Sequence, residues 1–177
     1  MTFPPATLAS ARRVRLLVLD VDGVLTDGRL YYLEGDREAK TFFTQDGAAL
    51  KMLMATGIAV AIVTGRRSEV VRRRAAELGI ERVFEGVDDK GRCIDELGVT
   101  TGISGLEMAY VGDDLPDLPA FNRVAFKITV PGAHPVVLDR ADYVTSAPAG
   151  LGAVREVCEL LMVAQGTWAD ALARFDR

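Results

Sequence analysis

Two rhythms alternate along this chain: short unbroken apolar runs, and longer segments in which apolar residues return every third or fourth position. The first is the pattern of strands buried on both faces, the second that of amphipathic helices. Strands are predicted over residues 15–19, 58–63, 83–84, 107–111, 124–130 and 142–145. Helices are predicted over 46–56 and 68–78, around 90–97, as a turn near 117–121, and last where Leu151, Val154, Val157, Cys158 and Leu161 recur. Ser68 stands where one helix starts, and Gly57 and Gly79 where two of them stop. One stretch departs from the alternation. Residues 29–33 and 38–43 flank Glu34-Gly35-Asp36 and carry Tyr31, Tyr32, Phe42 and Phe43, which predicts a β-hairpin. Strand and helix in turn give an α/β fold: a doubly wound, mostly parallel sheet flanked by helices, with the hairpin inserted. At 177 residues the chain suits one domain, with a core over about 14–166 and a tail over 167–177.

In such a sheet, ligands bind beyond the carboxyl ends of the strands, and strong polar residues gather there. Asp20 and Asp22 follow the first strand, Thr64-Gly65-Arg66 the second, Lys90 the third, and Gly112-Asp113-Asp114 with Asp117 the fourth. A lone Asp-Gly is more often a turn than a site. Four clusters, each closing its own strand, point to a site. Two carboxylates two residues apart at the end of a buried strand lose hydration and repel each other, and a divalent cation removes that penalty. Asp20, Asp22 and Asp113 are hard oxygen ligands of the kind Mg²⁺ takes. The Thr64 hydroxyl and Lys90 ammonium suit phosphate oxygens. Together they describe phosphoryl transfer through an aspartyl-phosphate.

Composition narrows the partners. A net charge of −4 weighs against nucleic acid. No apolar run reaches membrane-spanning length, residues 1–14 lack the apolar core of a signal peptide, and Cys93 and Cys158 form no framework. A cytoplasmic protein with two packing cysteines is the expectation. Arg72 and Arg73 read as a solvated helix face, His134 before Pro135 as a helix start, and Trp168 as part of a polar tail. The phosphotransfer receiver domain uses similar parts, but its lysine comes last of the set, whereas Lys90 precedes Asp113.

The order Asp20-x-Asp22-Gly23-Val24, Thr64-Gly65-Arg66, Lys90, Gly112-Asp113-Asp114-x-x-Asp117 resembles the haloacid dehalogenase superfamily of phosphatases. With the hairpin, Asp46-Gly47 and Gly152-Ala153-Val154-Arg155-Glu156 added, it is similar to the cap-less subgroup acting on 3-deoxy-D-manno-octulosonate 8-phosphate, over about residues 14–166. That resemblance implies Asp20 as nucleophile and Mg²⁺ ligand. It implies Asp22 as general acid and base, binding the metal through its carbonyl, and Asp113 as the remaining protein ligand. Asp114 and Asp117 would support these, and Thr64 and Lys90 would hold the phosphoryl group. Phe43, Thr44, Gln45, Asp46, Gly47, Lys51, Arg66 and Arg74 match positions that contact the sugar acid. Gln45, Ala149 and Leu151 depart from the residues common in the subgroup. A homotetramer is implied too, with Leu30, Tyr32 and Phe42 of the hairpin at the interface and lipopolysaccharide as the downstream product. A nine-carbon sialic acid 9-phosphate would use the same catalytic set, and a scaffold with an idle site would show no metal-dependent turnover.

Overall fold

A computed structural model describes residues 2–35 and 37–175; Met1, the Asp36 corner of the expected turn and the last two residues of the expected tail lie outside them. Helix α1 (Pro5–Ala11) leads into strand β1 (Leu16–Leu19) and the hairpin strands β2 (Tyr31–Leu33) and β3 (Arg37–Ala39). Helix α2 (Thr44–Met54), β4 (Ala59–Thr64), α3 (Glu69–Leu78), β5 (Arg82–Glu85), α4 (Lys90–Thr101) and β6 (Met108–Val111) follow. The chain ends with α5 (Leu118–Phe121), β7 (Phe126–Thr129), α6 (Pro135–Arg140), β8 (Tyr143–Val144), α7 (Ala153–Ala164) and α8 (Trp168–Ala173).

The six long-range strands form one parallel sheet in the order β5-β4-β1-β6-β7-β8. Leu16 of β1 is level with Ala59 of β4 on one side and Met108 of β6 on the other. The chain therefore winds outward from β1 in one direction through β4 and β5, then returns to build the other half. That reversal is the switch point at which doubly wound sheets open a crevice. All four residues of β1 are buried, because successive side chains enter opposite layers. Leu17 and Leu19 join the core beneath α2 and α7, while Leu16 and Val18 join that beneath α4 and α5. Truncating any of these leucines to alanine removes about 2–5 kcal/mol of stability.

The hairpin differs from its expected extent. Its ladder is three residues long on each side, pairing Tyr31 with Ala39 and Leu33 with Arg37. Phe42 and Phe43 are not strand residues. Phe43 precedes α2 directly, and Phe42 packs on the chain's own core with the Arg74 guanidinium 5.8 Å from its ring centroid. Phe42 is thus not an exposed hairpin residue, because the chain has already turned toward α2 when it is reached. The polar tail also contains more structure than its composition indicates: α8 forms, and Trp168 packs against the core. His134 does start α6, its Nδ1 accepting the Val136 N–H at 3.2 Å. Cys93 and Cys158 are free and buried.

Candidate active site

Beyond Leu19 the chain makes a tight loop in which the N–H groups of Val24, Leu25 and Thr26 all donate to the Val21 carbonyl, at 3.2, 2.9 and 3.0 Å. Gly23 makes that loop feasible. Its φ is +86°, and a Cβ there would stand 2.1 Å from an Asp113 carboxylate oxygen. The loop at the end of β1 and the loop at the end of β6 can therefore approach only across a glycine. At the end of β6, Asp114 accepts the Leu115 N–H at 2.8 Å and starts a 3₁₀ turn. Within that turn, Asp117 Oδ2 accepts the N–H groups of Asp113 and Asp114 at 2.9 and 3.1 Å.

The other oxygen of Asp117 accepts from Lys90 Nζ and from the Tyr110 hydroxyl, both at 2.7 Å. Lys90 Nζ also lies 2.9 Å from Asp20 Oδ2. Asp117, almost wholly buried, thus ties Lys90, Tyr110 and the β6 loop together. Carboxylate oxygens of Asp20, Asp113 and Asp117 lie within 4.8 Å of one another. Burial, then the Asp117 charge, raises the Asp20 pKa to about 6 against the pull of Lys90. The same causes, burial first and then Asp117 and Asp20, raise Asp113 to about 7. Burial works to deprotonate Lys90, but Asp20 and Asp117 outweigh it and keep the ammonium charged. One buried oxygen of Asp113 has no hydrogen-bond partner among the described residues. Closely spaced carboxylates with raised pKa values and a bare oxygen fit a divalent cation.

The structure brings Asp20, Asp22, Thr64, Arg66, Lys90, Asp113, Asp114 and Asp117 to the walls of one cleft of about 360 Å³. The Asp22 carboxylate does not join the acidic cluster. It turns to Lys40, whose Nζ donates to Oδ1, and to Arg66, whose Nε lies 3.8 Å from Oδ2. Phe43, Thr44, Gln45, Asp46, Gly47, Lys51 and Arg74 are not at that cleft within one chain. Phe43 and Gln45 line a separate groove beside Leu151 and Arg155. Asp46 is buried, accepting the Arg155 N–H at 2.8 Å, and Gly47 lies under the Arg74 guanidinium. Thr44 and Lys51 are exposed on α2. Lys40 and Tyr110, which contact Asp22 and Asp117 from behind the cleft wall, were not among the residues expected from the sequence. Tyr110 carried a signal, a hydroxyl in an otherwise apolar strand; Lys40 follows a hairpin strand and resembles any surface lysine.

The sequence profile of the haloacid dehalogenase-like hydrolases matches residues 31–124. The 3-deoxy-D-manno-octulosonate 8-phosphate phosphatase KdsC of Salmonella typhimurium is 43% identical over 162 residues, spanning 92% of this chain and 86% of that protein. The chain belongs to the haloacid dehalogenase-like hydrolases. Among solved structures of this hydrolase family, the 3-deoxy-D-manno-octulosonate 8-phosphate phosphatase of Moraxella catarrhalis was solved with magnesium ion, phosphate ion and KDO. It superposes with a TM-score of 0.93 at 43% identity, over 96% of this chain and 97% of that one. The corresponding phosphatase of Yersinia pestis gives a TM-score of 0.91 at 40% identity, over 93% and 89% of the two chains.

Proposed function

We propose that this hydrolase removes the 8-phosphate of 3-deoxy-D-manno-octulosonate, using Mg²⁺ and an aspartyl-phosphate on Asp20. The observation that carries the reading is Asp20 at the sheet's switch point, facing Asp113 and held 2.9 Å from the Lys90 ammonium. The Salmonella typhimurium phosphatase, 43% identical over 92% of this chain, supports the choice of substrate. Asp20 attacks phosphorus, the ester P–O bond breaks, and Asp22 gives its proton to the departing sugar oxygen. A water then attacks phosphorus, Asp22 takes that proton, and the Asp20–phosphorus bond breaks to release phosphate. Lys90 and the Thr64 hydroxyl hold phosphoryl oxygens, and Asp117 keeps Lys90 aimed. Asp20, Asp113 and the Asp22 carbonyl would hold Mg²⁺, which when bound offsets the charge gathered between carboxylate and phosphate. Arg66, on the cleft wall, meets the sugar acid.

The working unit in this reading is a cytoplasmic homotetramer on the route to lipopolysaccharide. Its support is the hairpin, whose Tyr31, Tyr32 and Leu33 are all exposed in the single chain. No helix among the described residues is long and apolar enough to cross a membrane. Phe43, Thr44, Gln45, Asp46, Gly47, Lys51 and Arg74 then serve substrate only where a neighbouring copy meets the cleft.

Two measurements test the reading. The specificity constant for the octulosonate 8-phosphate should exceed that for a nine-carbon sialic acid 9-phosphate, and the reverse order replaces the substrate. Asp20→Asn should keep the fold by circular dichroism and lose at least about 10³-fold in kcat, since the amide cannot attack phosphorus. Turnover within about tenfold of wild type ends the covalent mechanism.

A further inference from the structure

Glu38 lies in β3, and Lys40 stands two positions on, one residue past the strand's end. Both side chains turn toward residues of the cleft wall. Lys40 Nζ donates to Asp22 Oδ1, and Glu38 Oε2 lies 3.8 Å from Arg66, which itself reaches Asp22. The two cations on Asp22 are not equivalent. The Arg66 side chain is 43% exposed and 3.8 Å away, whereas the Lys40 side chain is 1% exposed and in direct contact. Among the described residues Asp22 is the only ion-pair partner of Lys40. A buried ammonium with one partner is costly to strand, so it holds that partner firmly. Nor is Lys40 on the cleft wall: its contact with the site is through Asp22, which is.

Asp22 needs such a hold. It lies in a loop beyond β1, its side chain is 20% exposed, and the terminal torsion of a carboxylate is soft. An acid–base group that wavers by an ångström or by tens of degrees loses much of its effect. We propose that Lys40 is a positioning residue for Asp22: it fixes the carboxyl in the orientation that serves first the leaving oxygen and then the attacking water. The hairpin thereby belongs to the catalytic apparatus of its own chain through Lys40. The proposal rests on the reading of Asp22 as general acid and base.

The test is steady-state kinetics on Lys40→Met, Lys40→Arg and Asp22→Asn, and on Asp22→Asn combined with Lys40→Met, with the octulosonate 8-phosphate and Mg²⁺. Lys40→Met should lower kcat about 10–100-fold, part of what a general acid–base contributes, and leave KM within about threefold. Lys40→Arg should recover most of the loss. In the Asp22→Asn background Lys40→Met should change kcat by less than about twofold, because no carboxyl remains to be oriented. Equal losses in both backgrounds, or a higher KM at unchanged kcat, overturn the proposal and make Lys40 a structural or substrate-binding group. Full turnover by Asp22→Asn alone would instead remove the acid–base reading beneath it. Should Lys40→Met not fold, Lys40→Gln enters the same comparison, with the same outcomes deciding.

Discussion

Asp20 and Asp113 hold protons that exposed carboxyls would have lost, because burial and neighbouring carboxylates push their pKa values to about 6 and about 7. The sign of the consequence follows from proton counting. Between about pH 4, where unfolded aspartates ionise, and about pH 7, these two carboxyls bind more protons in the folded chain than in the unfolded one. Stability contributed by this pair therefore falls as pH rises through that window. Metal-free protein should lose melting temperature between pH 5 and pH 7.5, and Asp113→Asn should flatten the decline. Added Mg²⁺ should raise the melting temperature more at pH 7.5 than at pH 5, since protons compete for the same oxygens. A Mg²⁺ shift equal at both pH values would separate the metal from these carboxylates. Gly23 is constrained from the same side: a Cβ there would displace Asp113, and no other residue type satisfies both that contact and its positive φ.

Among the elements, α7 shows how a residue matched to substrate contact can also have an architectural task. Its N-cap is Gly152, with no side-chain cap of its own. The acceptor comes instead from α2, where Asp46 Oδ1 takes the Arg155 N–H at 2.8 Å. A carboxylate at a helix N-terminus satisfies an otherwise orphaned donor and complements the helix dipole. Burial raises the Asp46 pKa, opposed by the N–H groups of Arg155 and Gly152. Asp46→Ala should lower stability by about 1–3 kcal/mol in urea unfolding, and Asp46→Asn, which keeps an acceptor, by less. Equal losses would mean that charge, not the hydrogen bond, holds the helix. The 68–78 helix was legible because its signals are local: Ser68 accepts the Val71 N–H, and Gly79 takes a φ of 80°. The Asp46 cap was not, because donor and acceptor lie 109 positions apart in the chain.

For the whole molecule, the hairpin is the unfinished surface. Tyr32 is 73% exposed, and Tyr31 and Leu33 beside it are exposed too. A two-stranded ribbon with apolar side chains in water is marginal alone and also offers free strand edges. Packing against further copies of the chain removes both costs. Tyr32→Glu should therefore reduce the particle mass seen by light scattering. It should lower turnover of the octulosonate 8-phosphate more than that of a small aryl phosphate, which needs no closed pocket. An unchanged mass with unchanged selectivity would leave the hairpin with its hold on Asp22 alone. Phe42 is no longer part of this surface, since the core of its own chain holds it.

The sequence by itself determined the alternation of strand and helix, the parallel sheet, and the gathering of Asp20, Thr64, Lys90 and Asp113 at one edge. Those follow from local periodicity and from strand ends, which a linear reading can see. Only the tertiary structure decided how the charges pair: Asp117 with Lys90 and Tyr110, Asp46 with α7, and Lys40 with Asp22. Each pairing joins residues from different elements. Its worth depends on burial and distance, which a side chain acquires only when the sheet and its helices close around it.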